Sequence, residues 1–292
     1  MLDRSQLEAL VTIVRYGNFD RAAKALNVTP SAVSQRIRAL EEKVGAVLIV
    51  RGQPCRATPV GEKLFRYAED VGLLEQGLLS EINSLSSAEE QRTVAIAVNA
   101  DSLATWFPFS LSASEDILYN IVCEDQEHTA DLLKSGLVSA AISGHGHEVA
   151  GCGCRLLGNL RYRAVATPDF ISRYFPDGVT PVTAARAPGL LFNNKDNLLS
   201  QWSERCLGYP VLPPTHWLPS TDAIVQATLR GLGWGINPEH LVEGHLKEGE
   251  LAEIIPDQPF DVPLFWHWSR AVERILAPLT ASVRETARKF LA

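Results

Sequence analysis

Ser31, Ser34, Gln35, Arg36 and Arg38 crowd into one short stretch beside an apolar series at Val33, Ile37 and Leu40. Spacings of four and three put the apolar series on one face of a helix. The opposite face is short-chained and polar near its start and cationic further along. A glutamine amide can make two hydrogen bonds to adenine, and a guanidinium neutralises phosphate. Such a face suits a helix lying in a DNA major groove. The competing reading is a solvated face on an ordinary helical hairpin.

The elements needed to hold that face in place are also legible. Phe19–Leu26 reads as a short helix burying Ala22, Ala23 and Leu26, whose small alanines allow close approach of a neighbour. Asn27-Val28-Thr29 interrupts it. Thr29 is placed to cap the next helix, and Pro30 occupies its first position, where a missing N–H is harmless. An earlier helix carries Leu7, Leu10, Val11 and Val14. A basic turn follows at Val50–Pro59, carrying Arg51 and Arg56 in the manner of a wing. The expected DNA contacts are therefore Pro30, Ser31, Ser34, Gln35, Arg36, Arg38, Arg51 and Arg56. Position at the start of the chain, a preceding helix and a basic wing favour DNA over the solvated hairpin.

The net charge of the 292 residues is −7, which by itself argues against a nucleic-acid partner. Its distribution reverses that inference. Residues 1–66 hold eleven Lys and Arg against six Asp and Glu, so they stand at +5 and the remainder at −12. A basic head on an acidic body suits a protein whose head alone meets a polyanion. Asp3, Arg4 and Glu8 interrupt any apolar leader, and no stretch reaches the length of a membrane span, so a cytoplasmic location without membrane contact is expected. Five scattered cysteines make no disulfide framework. Cys152-Gly153-Cys154 has no second ligand pair and reads as ordinary thiols in a turn. Neither a cofactor nor a metal is expected.

Beyond Pro59 a long helix is expected to about Ser86. Leu64, Tyr67, Val71, Leu74, Leu78 and Leu85 make a heptad-type seam suited to pairing with a second chain. Ser84–Glu90 reads as a hinge. From Gln91 strands and helices alternate: strands at Thr93–Val98, Asp116–Glu124, Val138–Ser143, Arg161–Thr167, Gly189–Phe192, Thr215–Leu218, Trp234–Ile236 and Pro263–Trp268. Helices are expected at Ser102–Ser110, Thr129–Ser135, Ile171–Phe175, Asp222–Arg230 and Val272–Leu291. This is an α/β pattern with mostly parallel sheet. The expected division is 1–58, 59–88 and 91–292.

In such folds ligands bind beyond the carboxyl ends of strands. Asn99, Asp101 and Ser102 stand at one strand-to-helix junction, and Ser220 and Thr221 at another. All are also ordinary capping residues. No nucleophile elbow or glycine-rich phosphate loop is present. Gly144-His145-Gly146-His147-Glu148 offers two histidines in a turn without completing a metal set. The expectation is therefore a non-enzyme. An effector-free architectural DNA-binding protein and a regulator fused to a metal-dependent enzyme are the alternatives.

The stretch FDRAAKALNVTPSAVSQRIRALEEKVGAVLIVR closely resembles the N-terminal domain of LysR-type transcriptional regulators. VNADSLATWF, EDQEHT, GLGWG and PLFWHW carry the resemblance through the chain and are similar to the ArgP/LysG branch, which senses basic amino acids. The resemblance implies a winged helix-turn-helix head, a dimerising linker helix and a two-lobed, periplasmic-binding-protein-like effector domain. It implies two chain crossings between lobes, placed near Thr167 and Pro263. It also implies partners: double-stranded DNA, a small effector (L-lysine or L-arginine) and further copies in a homodimer or homotetramer. Under it, Glu124 and Asp125 at a strand end join Asn99, Asp101, Ser102, Ser220, Thr221 and Trp266 as expected effector contacts.

Overall fold

The computed structural model describes residues 2–83, 92–113, 117–123 and 129–292. Three helices open the chain: α1 (Arg4–Tyr16), α2 (Phe19–Ala25) and α3 (Pro30–Val44). Each has its own side-chain cap. Asp3 accepts the Gln6 N–H, Asn18 accepts from Asp20 and Arg21, and Thr29 accepts from Ala32. Pro30 occupies the first position of α3, as the sequence implied. Leu7, Leu10, Ile13, Ala22, Ala23, Val33, Ile37 and Leu40 form one buried cluster. Val11 and Val14 flank it only half-buried, because the inward stripe of α1 runs Leu7, Leu10, Ile13.

The wing is a two-stranded ribbon, β1 (Ile49–Val50) against β2 (Arg56–Ala57). The Glu41 carboxylate accepts the Leu48 N–H at 2.8 Å and ties the ribbon to α3. The linker helix α4 (Pro59–Asn83) starts directly from the wing. Its Gly61 lies against the Leu48 carbonyl, where an added Cβ would come within 2.1 Å of the oxygen. Only glycine allows the helix to sit that close.

The seam expected along α4 divides into different roles. Leu64 packs on the head cluster, and Val71 is half-buried. Tyr67, Leu74 and Leu78 are exposed. Leu73, which the seam omitted, is buried in the core of the following domain. Leu85 and the hinge at 84–90 lie outside the described residues.

The remaining elements in chain order are β3 (Arg92–Val98), α5 (Ala100–Ala104), a 3₁₀ turn (Phe107–Ala113), β4 (Ile117–Cys123), α6 (Thr129–Ser135), β5 (Ala140–Ser143), β6 (Cys152–Ala166), α7 (Pro168–Tyr174), α8 (Pro181–Arg186), β7 (Gly189–Leu191), α9 (Leu198–Leu207), β8 (Thr215–Trp217), α10 (Thr221–Leu229), β9 (Trp234–Pro238), α11 (Glu239–Lys247), β10 (Ala252–Glu253), β11 (Phe260–Ser269) and α12 (Glu273–Phe290). The sheet order is β4-β3-β5-β11-β6-β9-β7-β8, with β10 beside β6. Two parallel sets, β4-β3-β5 and β9-β7-β8 at its two ends apart from the antiparallel joins, give two lobes. The long antiparallel pair β6 and β11 joins them.

Both crossings therefore run inside strands. β6 pairs with β11 up to Tyr162 and with β9 from Tyr162 onward, so its hand-over precedes the expected Thr167 by several residues. Thr167 instead caps α7. The β11 crossing is close to the expected Pro263, at a register shift between Leu264 and Phe265. Arg161 clamps the two strands there, donating to both Asp261 oxygens at 2.8 and 2.9 Å and holding that carboxyl below the ordinary range.

Two further expectations need correction. Strand β6 begins at Cys152, so Cys152-Gly153-Cys154 is strand and not turn. Gly153 is required there because the Trp268 indole covers it, 2.3 Å from where a Cβ would stand. The helix expected over 102–110 stops at Ala104 and continues as a 3₁₀ turn, consistent with Pro108 disfavouring an α conformation at Phe107.

Candidate functional site

The recognition face stands clear of the head. Pro30, Ser31, Gln35 and Arg38 are exposed, and Ser34 and Arg36 half-buried. Ser31, Gln35 and Arg38 follow one another at spacings of four and three and so share a stripe. Arg51 and Arg56 are exposed on the wing. The Arg51 guanidinium lies 5.3 Å from the centre of the Phe19 ring, which orients it beside α2. Hydrogen-bonding side chains on a helix with guanidinium groups to its side are the two kinds of group that base edges and phosphates respectively require.

The second site is a cleft of about 380 Å³ between the lobes. Asn99, Ala100, Asp101 and Cys123 line it from the first lobe. Leu190, Phe192, Asn193, Asp196, Asn197, Pro219, Ile224 and Ile236 line it from the second. The size is near the lower end for a small-molecule pocket.

The sequence-selected residues divide into several roles. Asn99 is 5% exposed and Ser102 fully buried, and neither Asn99 Oδ1 nor Ser102 Oγ has a hydrogen-bond partner within the protein. Buried polar atoms in that state want a partner, and a ligand can supply it. Asp101 spans the lobes: its carboxylate accepts Thr221 Oγ1 and Tyr162 OH, each at 2.7 Å. Ser220 caps α10 by accepting the Ala223 N–H. Helix α5 has only five residues, so its dipole offers an anion little and the side chains must do the binding. Glu124 and Asp125 lie outside the described residues.

Trp266 does not belong to the cleft. It is fully buried beside Phe107, with its N–H on Thr280 Oγ1 at 3.1 Å. The resemblance implied an effector contact there, but the inward face of β11 carries the indole into the core.

Sequence reasoning missed Tyr162 and the loop Phe192–Leu198. In that loop Asp196 accepts the Phe192 and Leu198 N–H groups at 2.9 and 3.1 Å, and Asn193 accepts that of Lys195 at 2.7 Å. The run Asn193-Asn194-Lys195-Asp196-Asn197 reads as a turn, and its polarity was the available signal. Among the described residues, the His and acidic side chains close enough to share an ion are His245, Glu248 and Glu250 at the end of α11, not His145 and His147. No helix among them is long and apolar enough to cross a membrane.

Residues 5–62 match the bacterial regulatory helix-turn-helix proteins of the LysR family, and residues 87–291 match the LysR substrate binding domain. The chain belongs to the LysR family. As a member it is a DNA-binding transcriptional regulator with an effector domain. It is 42% identical over 286 residues to the HTH-type transcriptional regulator LysG of Mycobacterium tuberculosis, covering 98% of this chain and 94% of that one. It is 40% identical over 283 residues to ArgP of Pseudomonas aeruginosa, covering 96% and 94%. The crystal structure of ArgP from Mycobacterium tuberculosis superposes with a TM-score of 0.88 at 40% identity, over 100% and 99% of the two chains. Full-length LysG from Corynebacterium glutamicum with bound effector Arg gives 0.77 at 37% identity, over 99% of each.

Proposed function

We propose that the chain is a cytoplasmic regulator whose engagement of its operator responds to L-arginine or L-lysine, and that it controls the export or metabolism of basic amino acids. Residues 1–58 read the DNA, 59–88 join two chains and 91–292 bind the effector. The chain is read as a regulator without catalytic activity, in line with the relatives named as transcriptional regulators. The observation that carries the reading is the inter-lobe cleft of amino-acid size, lined by buried Asn99 with an unpartnered Oδ1, with the buried, unpartnered Ser102 hydroxyl on the adjoining helix α5. Similarity to the LysG structure with bound Arg supports the choice of ligand class.

An α-amino acid needs acceptors for its ammonium and donors for its carboxylate. Asn99 Oδ1 can accept from the first, and the Ser102 hydroxyl can donate to the second. Effector binding then alters DNA engagement through differential affinity for two arrangements of the lobes or of the dimer. Titration calorimetry of the full-length protein with L-arginine, L-lysine and L-leucine tests the ligand class. Saturable binding of a basic amino acid, with a change in operator affinity, is the expected result. Equal binding of leucine, or no binding of either basic amino acid at millimolar concentration, refutes it and favours an architectural role.

A further inference from the structure

We propose that Cys123 is a thiol-modification site within the effector cleft, where a small disulfide captured by its sulfur takes the space of the effector. The exclusion of effector rests on the effector reading above, whereas the reactivity of the thiol does not. All five cysteines lie among the described residues, and Cys123 is the one exposed to solvent. Cys55 is buried. Cys152, Cys154 and Cys206 are half-buried, and burial pushes their thiol pKa values up. The attacking species is the thiolate, so those three are poor nucleophiles at neutral pH and Cys55 is out of reach. Selectivity among the cysteines therefore follows from where each one sits.

The place of Cys123 in the fold gives that selectivity a consequence. Cys123 is the last residue of β4 and pairs in parallel register with Val98, the last residue of β3. The two strands end side by side, and Asn99 follows directly after Val98. Asn99 and Cys123 both line the cleft of about 380 Å³. The independent sign that this space takes a ligand is Asn99, 5% exposed, whose buried Oδ1 has no hydrogen-bond partner. The step is thiol–disulfide exchange. The Cys123 thiolate attacks one sulfur of a low-molecular-weight disulfide, a new S–S bond forms and the old one breaks. The departing thiolate carries off the electron pair and takes up the proton that Cys123 gave up. Cys123 is thereby oxidised and one half of the small disulfide reduced. The other half stays on Cys123 and stands beside Asn99, in the space an amino acid would fill. A reducing thiol runs the exchange backward and reopens the cleft.

The test treats the full-length protein with dithiobis(nitrobenzoic acid), an aromatic disulfide that releases a coloured thiolate for each sulfur it captures. One thiol should react at least about tenfold faster than the rest, and peptide mass mapping should place the label on Cys123. The labelled protein should lose L-arginine binding in titration calorimetry and regain it after dithiothreitol. Saturating L-arginine should slow the fast reaction by about tenfold or more, because bound effector and reagent compete for one space. Cys123→Ser should lack the fast reaction and show one arginine affinity before and after treatment. Cys123→Ala supplies the same comparison if the serine variant folds poorly. Uniform reaction of the thiols, a fast thiol mapped elsewhere, or a label on Cys123 that leaves arginine affinity unchanged overturns the assignment while the basic amino acid reading stands. Loss of arginine binding in treated Cys123→Ser traces the effect to another cysteine and likewise overturns it. Unmodified wild-type protein that binds neither arginine nor lysine overturns the effector reading, and the exclusion with it.

Discussion

Thr221→Val isolates the contact between the lobes. Thr221 is 4% exposed and donates its hydroxyl to Asp101 Oδ1 at 2.7 Å. Valine has nearly the same shape, and the cap of α10 belongs to Ser220, so the helix start survives. What is lost is one hydrogen bond to a charged acceptor, worth about 1.5–3 kcal/mol. Asp101 keeps Tyr162 at 2.7 Å, which argues for the lower end. At about 1.4 kcal/mol per decade, a loss near 1.5 kcal/mol weakens effector binding roughly tenfold, if the effector binds the bridged arrangement. The cleft remains roomy with the bridge intact, which is why that arrangement is taken as the binding one. Calorimetry with L-arginine, paired with thermal unfolding to confirm folding, reads the change. Unchanged affinity would show that the bridge does no work in binding. Tighter binding would show that the effector competes with Thr221 for Asp101, and the reasoning would be refuted either way.

Gln35→Ala should lower operator affinity by about 1–3 kcal/mol and relax discrimination at one base pair, whereas Arg51→Ala or Arg56→Ala should weaken all sequences alike and flatten the salt dependence. Equal loss on cognate and single-base-variant operators for Gln35→Ala would remove it as a base reader. Leu74→Asp, at a residue exposed along α4, should reduce the oligomer mass in light scattering, and an unchanged mass would leave that face without a partner chain. His267 is fully buried, with Nε2 on the His145 carbonyl at 2.9 Å, and burial lowers its pKa. Its unfolded form takes up a proton first, so stability holds above about pH 6.5 and falls below it, by at most about 1.4 kcal/mol per pH unit. His267→Gln should flatten that fall between pH 7 and 5.5, and an identical pH profile would refute the assignment.

Local signals carried far in the head because its contacts are local. Asn18, Thr29 and Pro30 mark helix starts within a few residues, and Val33, Ile37 and Leu40 repeat at the period of their own helix. The strands Thr93–Val98 and Gly189–Phe192 were legible as short apolar runs for the same reason. The cleft was legible only in part, since it joins Asn99 to Asp196 and Asp101 to Thr221 across a long stretch of chain. Nothing near Tyr162 in sequence reveals that its hydroxyl meets Asp101. Helices α8, α9 and α11 escaped because they are short and start beside prolines or polar turns, where loop chemistry dominates the pattern. Trp266 misled because alternation along a strand fixes two faces but not which of them meets the core.

The three sides of α4 give the linker a part in coupling that its heptad spacing alone did not show. Leu64 faces the head, Leu73 is buried in the effector-domain core, and Tyr67, Leu74 and Leu78 remain outside. Between the first two lies Asp70, whose Oδ1 accepts the Ser269 hydroxyl at 3.4 Å, at the end of β11. Burial pushes the Asp70 pKa up, with the Ser269 hydrogen bond and the Arg66 charge opposing. A raised carboxyl pKa means the docked state favours the proton, so its contribution is full below the unfolded value and is lost as pH rises through the folded one. At neutral pH the helix is therefore docked against a carboxylate that resists burial. Asp70→Asn keeps an acceptor for Ser269 and removes the charge. It should raise the thermal midpoint at pH 7.5, and the gain should narrow as pH approaches the ordinary value of 3.8. Solvent reaches part of the group, which limits the effect to about 1 kcal/mol or less. For a domain of this size that is a shift of at most about 2–4 °C. A lower midpoint for Asp70→Asn at pH 7.5 would mean that attraction to Arg66 outweighs desolvation, and that the charge fastens the linker to the lobe.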